Sequence, residues 1–184
     1  MSILLISGSP ASPSSSDRLL QHIGDRLAGH GHRTSHLRVR ELPAKALLLA
    51  DAEDVELQRA IATVAAARAV VIATPVYKAA YSGALKTFLD LLPQNGLSGK
   101  VVLPIATGGS QSHLLALDYA LRPVLHALEA RQVLPSIFAT SHQLNWNEDN
   151  GLTLAPPIAS RVASGISHLS EALQDHHRYN NKAA

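Results

Sequence analysis

Short, unbroken apolar runs punctuate this chain, and stretches with helical spacing separate them. Residues 3–7, 69–74, 101–106 and 133–139 are the clearest runs, and 33–39 is a weaker one. A strand with one wet face alternates polar and apolar residues, whereas a continuous run predicts a strand covered on both faces. Helices are predicted over 17–29, 55–67, 82–92, 113–130 and 158–173. The last follows Pro156-Pro157, residues favoured at helix starts. The segment 42–50 is ambiguous. Strand and helix therefore alternate almost from end to end, which leaves few ways to bury both kinds of element.

The pattern predicts an α/β fold: a flavodoxin-like, doubly wound, five-stranded parallel sheet in the order 2-1-3-4-5, with helices on both faces. In such sheets ligands bind outside the carboxyl ends of the strands, where the order reverses between strands 1 and 3. A chain of 184 residues, 46% hydrophobic, is long enough for one full core. Domains near this size bury roughly 70% of the surface exposed when unfolded. Only 16% of residues are charged, so the expectation is one domain over 1–175 and a frayed tail over 176–184.

Composition narrows the chemistry. The net charge is +2 with lysines and arginines scattered, so no nucleic-acid footprint is expected. The absence of cysteine removes disulfides, thiolate nucleophiles and cysteine metal sites together. No window reaches the roughly 18 apolar residues of a membrane span, and no membrane association is expected. The first residues lack a basic leader pattern, so the expected address is the cytoplasm. The ten histidines include no His-Glu-x-x-His pattern, and no metal site is expected. The hydrolase elbow G-x-S-x-G is also missing.

Three loops at strand ends carry the unusual residues. The first, after strand 1, holds Ser9, Ser12, Ser14, Ser15 and Ser16 and leads into a helix. Free amides at a helix start and a hydroxyl-rich turn suit a phosphate monoester. The plainer alternative is an ordinary Ser/Pro turn with Ser16 as N-cap. The second loop, Thr74-Pro75-Val76-Tyr77, ends the third strand on a proline and a tyrosine and suits a flat ring. The third, Thr107-Gly108-Gly109-Ser110, lets backbone approach a ligand, or is a tight strand-to-helix turn. In the predicted order the three loops form one rim.

The helix over 113–130 contains a derivable defect. Pro123 has no N–H to give the carbonyl of Tyr119, which predicts a kink or a π-bulge there. Leu114, Leu117, Leu121, Val124 and Leu128 read as a core face or a subunit contact, and Asp118 with Arg122 as an exposed ion pair.

At these residues the chain resembles the NADPH-dependent FMN reductase family of flavodoxin-like proteins, over roughly residues 3–139. The family motif G-S-x-x-x-x-S-x-S is met by Gly8, Ser9, Ser14 and Ser16, which the resemblance assigns to the FMN phosphate; Ala11 stands where members often carry arginine. Thr74, Pro75, Val76 and Tyr77 meet T-P-x-Y, implied to line the flavin. Thr107, Gly108 and Gly109 meet T-G-G, implied to face the pyrimidine side of the ring. Residues 77–92 and 114–125 most resemble the reductases of alkanesulfonate-utilisation systems, in which a π-helix tyrosine lies at a tetramer interface. Tyr119 matches it. The resemblance implies an oxidoreductase with FMN and NADPH as cofactors and no catalytic side chain, since hydride passes between stacked rings. It also implies a dimer or tetramer that supplies reduced FMN to an alkanesulfonate monooxygenase. The alternatives are a reductase of quinones, azo dyes or metal oxyanions with tightly held FMN, or an electron carrier. The +2 charge speaks against the carrier.

Overall fold

The computed structural model describes residues 2–182, with side chains over 2–175. Its sheet contains β1 (Ser2–Ser7), β2 (Arg33–Arg38), β3 (Ala69–Tyr77), β4 (Ala80–Tyr81), β5 (Val101–Gly108), β6 (Gln132–Val133) and β7 (Ile137–Thr140). The parallel order is β2-β1-β3-β5, with β6 and β7 both against β5. Without the short β4 this is the expected 2-1-3-4-5 order. The helices are α1 (Ser15–Gly29), α2 (Ala44–Leu49), α3 (Val55–Ala66), α4 (Gly83–Leu89), α5 (Arg122–Ala127) and α6 (Pro156–Lys182). The expected tail over 176–184 has side chains outside the described residues.

The continuous runs do what they predict. Leu4, Ile6, Val70 and Ile72 face a core with α3, α4 and α5, whereas Ile3, Leu5, Val71 and Leu103 face a second core with α1 and α6. Burial of the sheet on both faces is why its strands lack polar alternation.

The elements depart from the expected bounds in several places, and the expected π-bulge is present. β3 does not stop at Thr74 but stays paired to Pro75, which stands opposite Thr107. Beyond Ala73 it has a parallel neighbour on one side only, where a residue without an N–H is tolerated. The fifth strand is split in two because Pro135 cannot donate to the ladder. The segment 42–50 contains α2. The helix over 113–130 is broken into a 3-10 turn at Gln111–His113, a π-turn at Leu117–Leu121, and α5. The Arg122 amide reaches back five residues to the Leu117 carbonyl, and the following Pro123 cannot restore the α-helical bond to Tyr119. Leu117, Leu121 and Leu128 are buried, but Leu114 is exposed and Tyr119 is 77% exposed. Finally, the polar loop after the last strand forms an antiparallel hairpin, β8 (Leu144–Asn147) with β9 (Gly151–Leu154). Among the described residues no helix is long and apolar enough to cross a membrane.

Candidate functional site

Register brings the three loops to one edge of the sheet. Ser7 stands opposite Ala73, Pro75 opposite Thr107, and Gly108 opposite Thr140. The strands therefore end level, and their loops enclose a cavity of about 230 Å³. Its wall includes Ser9, Ser14, Pro75, Val76, Tyr77, Thr107, Gly108 and Gly109. Of the motif residues quoted above, Ser16 is missing from the wall. It is fully buried, and its hydroxyl lies 3.0 Å from the Ser14 hydroxyl. Ala11, Pro13 and Ser15 of the first loop are also on the wall, as is Ser141, which no motif marks.

The α1 cap is Ser14, not Ser16. Its Oγ accepts the Asp17 amide at 3.3 Å, one of the donors that a helix start leaves free. The amides of Ser15 and Ser16, in the same first turn, have no intrahelical acceptor. Ser9 is 1% exposed and accepts the Ala11 amide at 3.3 Å, which tightens the loop on itself.

Arg40, just beyond β2, holds that loop from the other side. It donates to the Ala11 carbonyl at 2.9 Å and to the Asp17 carboxylate at 3.3 Å. Arg38 donates to the same carboxylate oxygen at 3.2 Å. Burial alone would raise the Asp17 pKa; the Ser7 hydroxyl and the two guanidinium groups outweigh it and hold the carboxyl below its ordinary value. Nothing in the loop's own sequence announces Arg40, because the contact spans the chain from residue 11 to residue 40.

The second loop is a hairpin. Val76 pairs with Tyr81 and Tyr77 with Ala80, leaving Lys78 and Ala79 as a two-residue turn with φ of 49° and 64°. That geometry usually calls for Asn-Gly, and each L-residue in it costs roughly 1–2 kcal/mol. Two buried hydroxyls offset the strain. Thr74 Oγ1 accepts the Ser82 amide at 3.0 Å, and Ser82 Oγ accepts the Leu85 amide at 3.1 Å. Ser82 Oγ also donates to the Gly8 carbonyl, tying the hairpin to the first loop. Gly8 permits the approach, because a Cβ there would stand 2.7 Å from Leu85 Cβ. Thr74 and Ser82, fully buried, thus brace the hairpin that presents Tyr77, 47% exposed, to the cavity.

In the third loop Gly108 is packed behind: a Cβ there would meet Phe138 at 3.0 Å, with His113 Nδ1 at 3.6 Å. Gly109 faces open space. Tyr119 does not line the cavity. It lies on the π-turn, which packs against β4 of the hairpin. The Asp118–Arg122 pair is present at 3.2 Å and exposed. Among the described residues, no group of three histidine or acidic side chains is placed to hold a metal ion.

The chain is similar to known proteins over most of its length. Residues 1–145 match the family described as NADPH-dependent FMN reductase. FMN reductase (NADPH) of Escherichia coli K12 is 46% identical over 94% of this chain and 90% of its own. FMN reductase (NADPH) of Pseudomonas putida is 47% identical over 95% of this chain and 84% of its own. Among solved structures, apo NADH:FMN oxidoreductase EMOB superposes with a TM-score of 0.85, at 39% identity over 93% of this chain and 89% of that one. Strand order, strand-end loops and relatives lead to one conclusion: the chain belongs to the NADPH-dependent FMN reductase family, oxidoreductases whose cofactors are FMN and NADPH.

Proposed function

We propose that the strand-end cavity is where this reductase holds FMN, and that it releases reduced FMN to an alkanesulfonate monooxygenase. The observation that carries the first part is the shared wall: all three motif loops line one cavity. Its features fit the cofactor. The Ser14 hydroxyl and the free first-turn amides of α1 suit a phosphate monoester without a lysine or arginine on the wall. Gly109, with no neighbour within 4 Å of a Cβ position, leaves its backbone bare for the edge of a ring.

In this reading Ser9, Ser14 and Ser15 hold the phosphate end, with Ser16 acting through Ser14. Pro75, Val76 and Tyr77 flank the ring, and Thr107, Gly108 and Gly109 meet its polar edge. Bound FMN supplies the acceptor for hydride from NADPH, chemistry that needs positioning more than a protein acid or base. The chain's task is to orient the rings. Amides of the Gly108-Gly109 turn stabilise negative charge that builds on the polar edge.

Release is assigned to Tyr119. Its π-turn packs on β4, so motion there reaches Tyr77 through a hairpin only two residues past it. Tyr119 is also exposed, as a subunit contact requires, in a dimer or tetramer. Purification tests the whole reading. A colourless protein that oxidises NADPH only when FMN is added supports it. A firmly yellow protein with rapid quinone turnover would overturn release in favour of a bound-flavin reductase. Replacing Tyr119 with alanine is expected to tighten flavin retention and slow transfer; unchanged flavin affinity and oligomeric state remove Tyr119 from the mechanism.

A further inference from the structure

A second cavity, of about 360 Å³, lies between α1 and the β8–β9 hairpin. Arg18, His22 and Arg38 line it together with Trp146. Neither the strand-end motifs nor the hydride chemistry use these residues. Trp146 stands on β8 with 47% of its surface exposed, and the Arg18 guanidinium sits 4.3 Å from its ring centroid. Such a cation–π contact holds the indole in place. Gly151, at φ +67°, lets β9 turn back close to the ring; a Cβ there would lie 3.9 Å from Trp146 Cζ3.

The charges in this cavity are unevenly satisfied. The Asp17 carboxylate is taken by Arg38 and Arg40, and Asp25 accepts from Gln21 Nε2 at 2.8 Å. Arg18 has no carboxylate partner among the described residues; its contact is the indole. An unpaired guanidinium beside a half-exposed indole recognises an aromatic ring that carries a dianion.

Place adds the identity of that ligand. Ser14 and Ser15 line the first cavity, and Arg18 and His22 the second, on the same helix. At 1.5 Å per residue Arg18 and His22 stand about 5–12 Å along α1 from Ser14 and Ser15, at the phosphate end of the first cavity. Ser141 lines the first cavity, and Trp146 follows it by one short 3-10 turn and the start of β8. A dinucleotide whose reactive ring lies over the first cavity thus has its other end within reach of the second.

We propose that this second cavity binds the 2′-phosphoadenosine end of NADPH, with Trp146 stacking on adenine and Arg18 holding the 2′-phosphate. Arg38 is the supporting cation. The inference rests on the strand-end cavity being the flavin site, and it names the residues that prefer the phosphorylated dinucleotide to the plain one.

Trp146 is the only tryptophan, so its emission reports on this cavity alone. Adenosine 2′,5′-bisphosphate should change that emission saturably, and adenosine 5′-monophosphate should do so only at much higher concentration. Arg18→Ala should lower the ratio of kcat/KM for NADPH to that for NADH by about tenfold or more, the loss of one charge-assisted contact. Arg18→Lys should recover part of the ratio. An emission that stays silent to the bisphosphate, or responds equally to the monophosphate, overturns the proposal, as does an unchanged ratio in Arg18→Ala. A separate titration of FMN, followed by flavin fluorescence, distinguishes the two levels. If FMN binds and is reduced while Trp146 stays silent, only this inference fails; if FMN does not bind, the flavin-site reading fails with it.

Discussion

The two cavities flanking the start of α1 are built from opposite materials. The strand-end cavity is walled by backbone, small hydroxyls and one tyrosine, and no arginine, lysine or carboxylate lines it. Its neighbour is walled by guanidinium groups, carboxylates, an imidazole and an indole. The first takes its shape from strand register, with Thr74 and Ser82 buried behind it. The second takes its shape from a helix face and a hairpin that meet through a cation–π contact. A site made of backbone is set by the fold and tolerates little displacement, whereas a site made of long side chains can be retuned one residue at a time.

The largest expected effect tests the rigid half. Ser82→Ala strands the buried Gly8 carbonyl and uncaps α4, which should cost about 2–3 kcal/mol in denaturant unfolding and weaken FMN binding at least about tenfold. A loss below about 1 kcal/mol would mean the hairpin is not held by this hydroxyl.

Asp17 stands between the cavities and tests their separation. Its folded pKa lies below its ordinary value, so the stability it adds is fully present above a pH of about 3.8 and is lost as pH falls through the lower folded value. Asp17→Asn should cost about 1–2 kcal/mol near pH 7 and flatten the acid limb of the unfolding midpoint against pH. An acid limb identical to that of the parent protein would show that the Arg38 and Arg40 contacts contribute nothing.

Ser14→Ala removes the cap of α1 and a hydroxyl from the cavity wall. About 1 kcal/mol of stability should be lost, with a several-fold weaker FMN titration and no change in the dinucleotide preference. A changed preference would join the two cavities into one site. The smallest effect is expected outside both. Asp118→Ala breaks an exposed pair worth about 0.3–0.5 kcal/mol, and the π-turn should persist in the variant's structure because Pro123 remains.

Much of the first cavity is legible in the sequence. The serines, Pro75, Tyr77 and the two glycines sit where apolar runs stop, and parallel strands of a doubly wound sheet stop at one edge. Pro123 likewise marks the π-turn at Tyr119, because a missing N–H is a local fact. The misreadings also have local causes. The expectation of Ser16 as cap fails by two residues: Ser14 stands at the helix start and Ser16 turns inward against it. Lys78-Ala79 carries no hairpin signal, since neither residue favours positive φ. The bracing of that hairpin needs Thr74, Ser82 and Gly8 in contact, and such contacts leave no periodic trace.

The sequence alone determined the layers, the strand order and which loops share a rim, because hydrophobic period and turn chemistry act over a few residues. Tertiary structure decided which side chains face the rim, that Arg40 grips the first loop, and that a charged cavity lies across α1. Those outcomes depend on residues far apart in the chain coming into direct contact, and no local pattern encodes such a meeting.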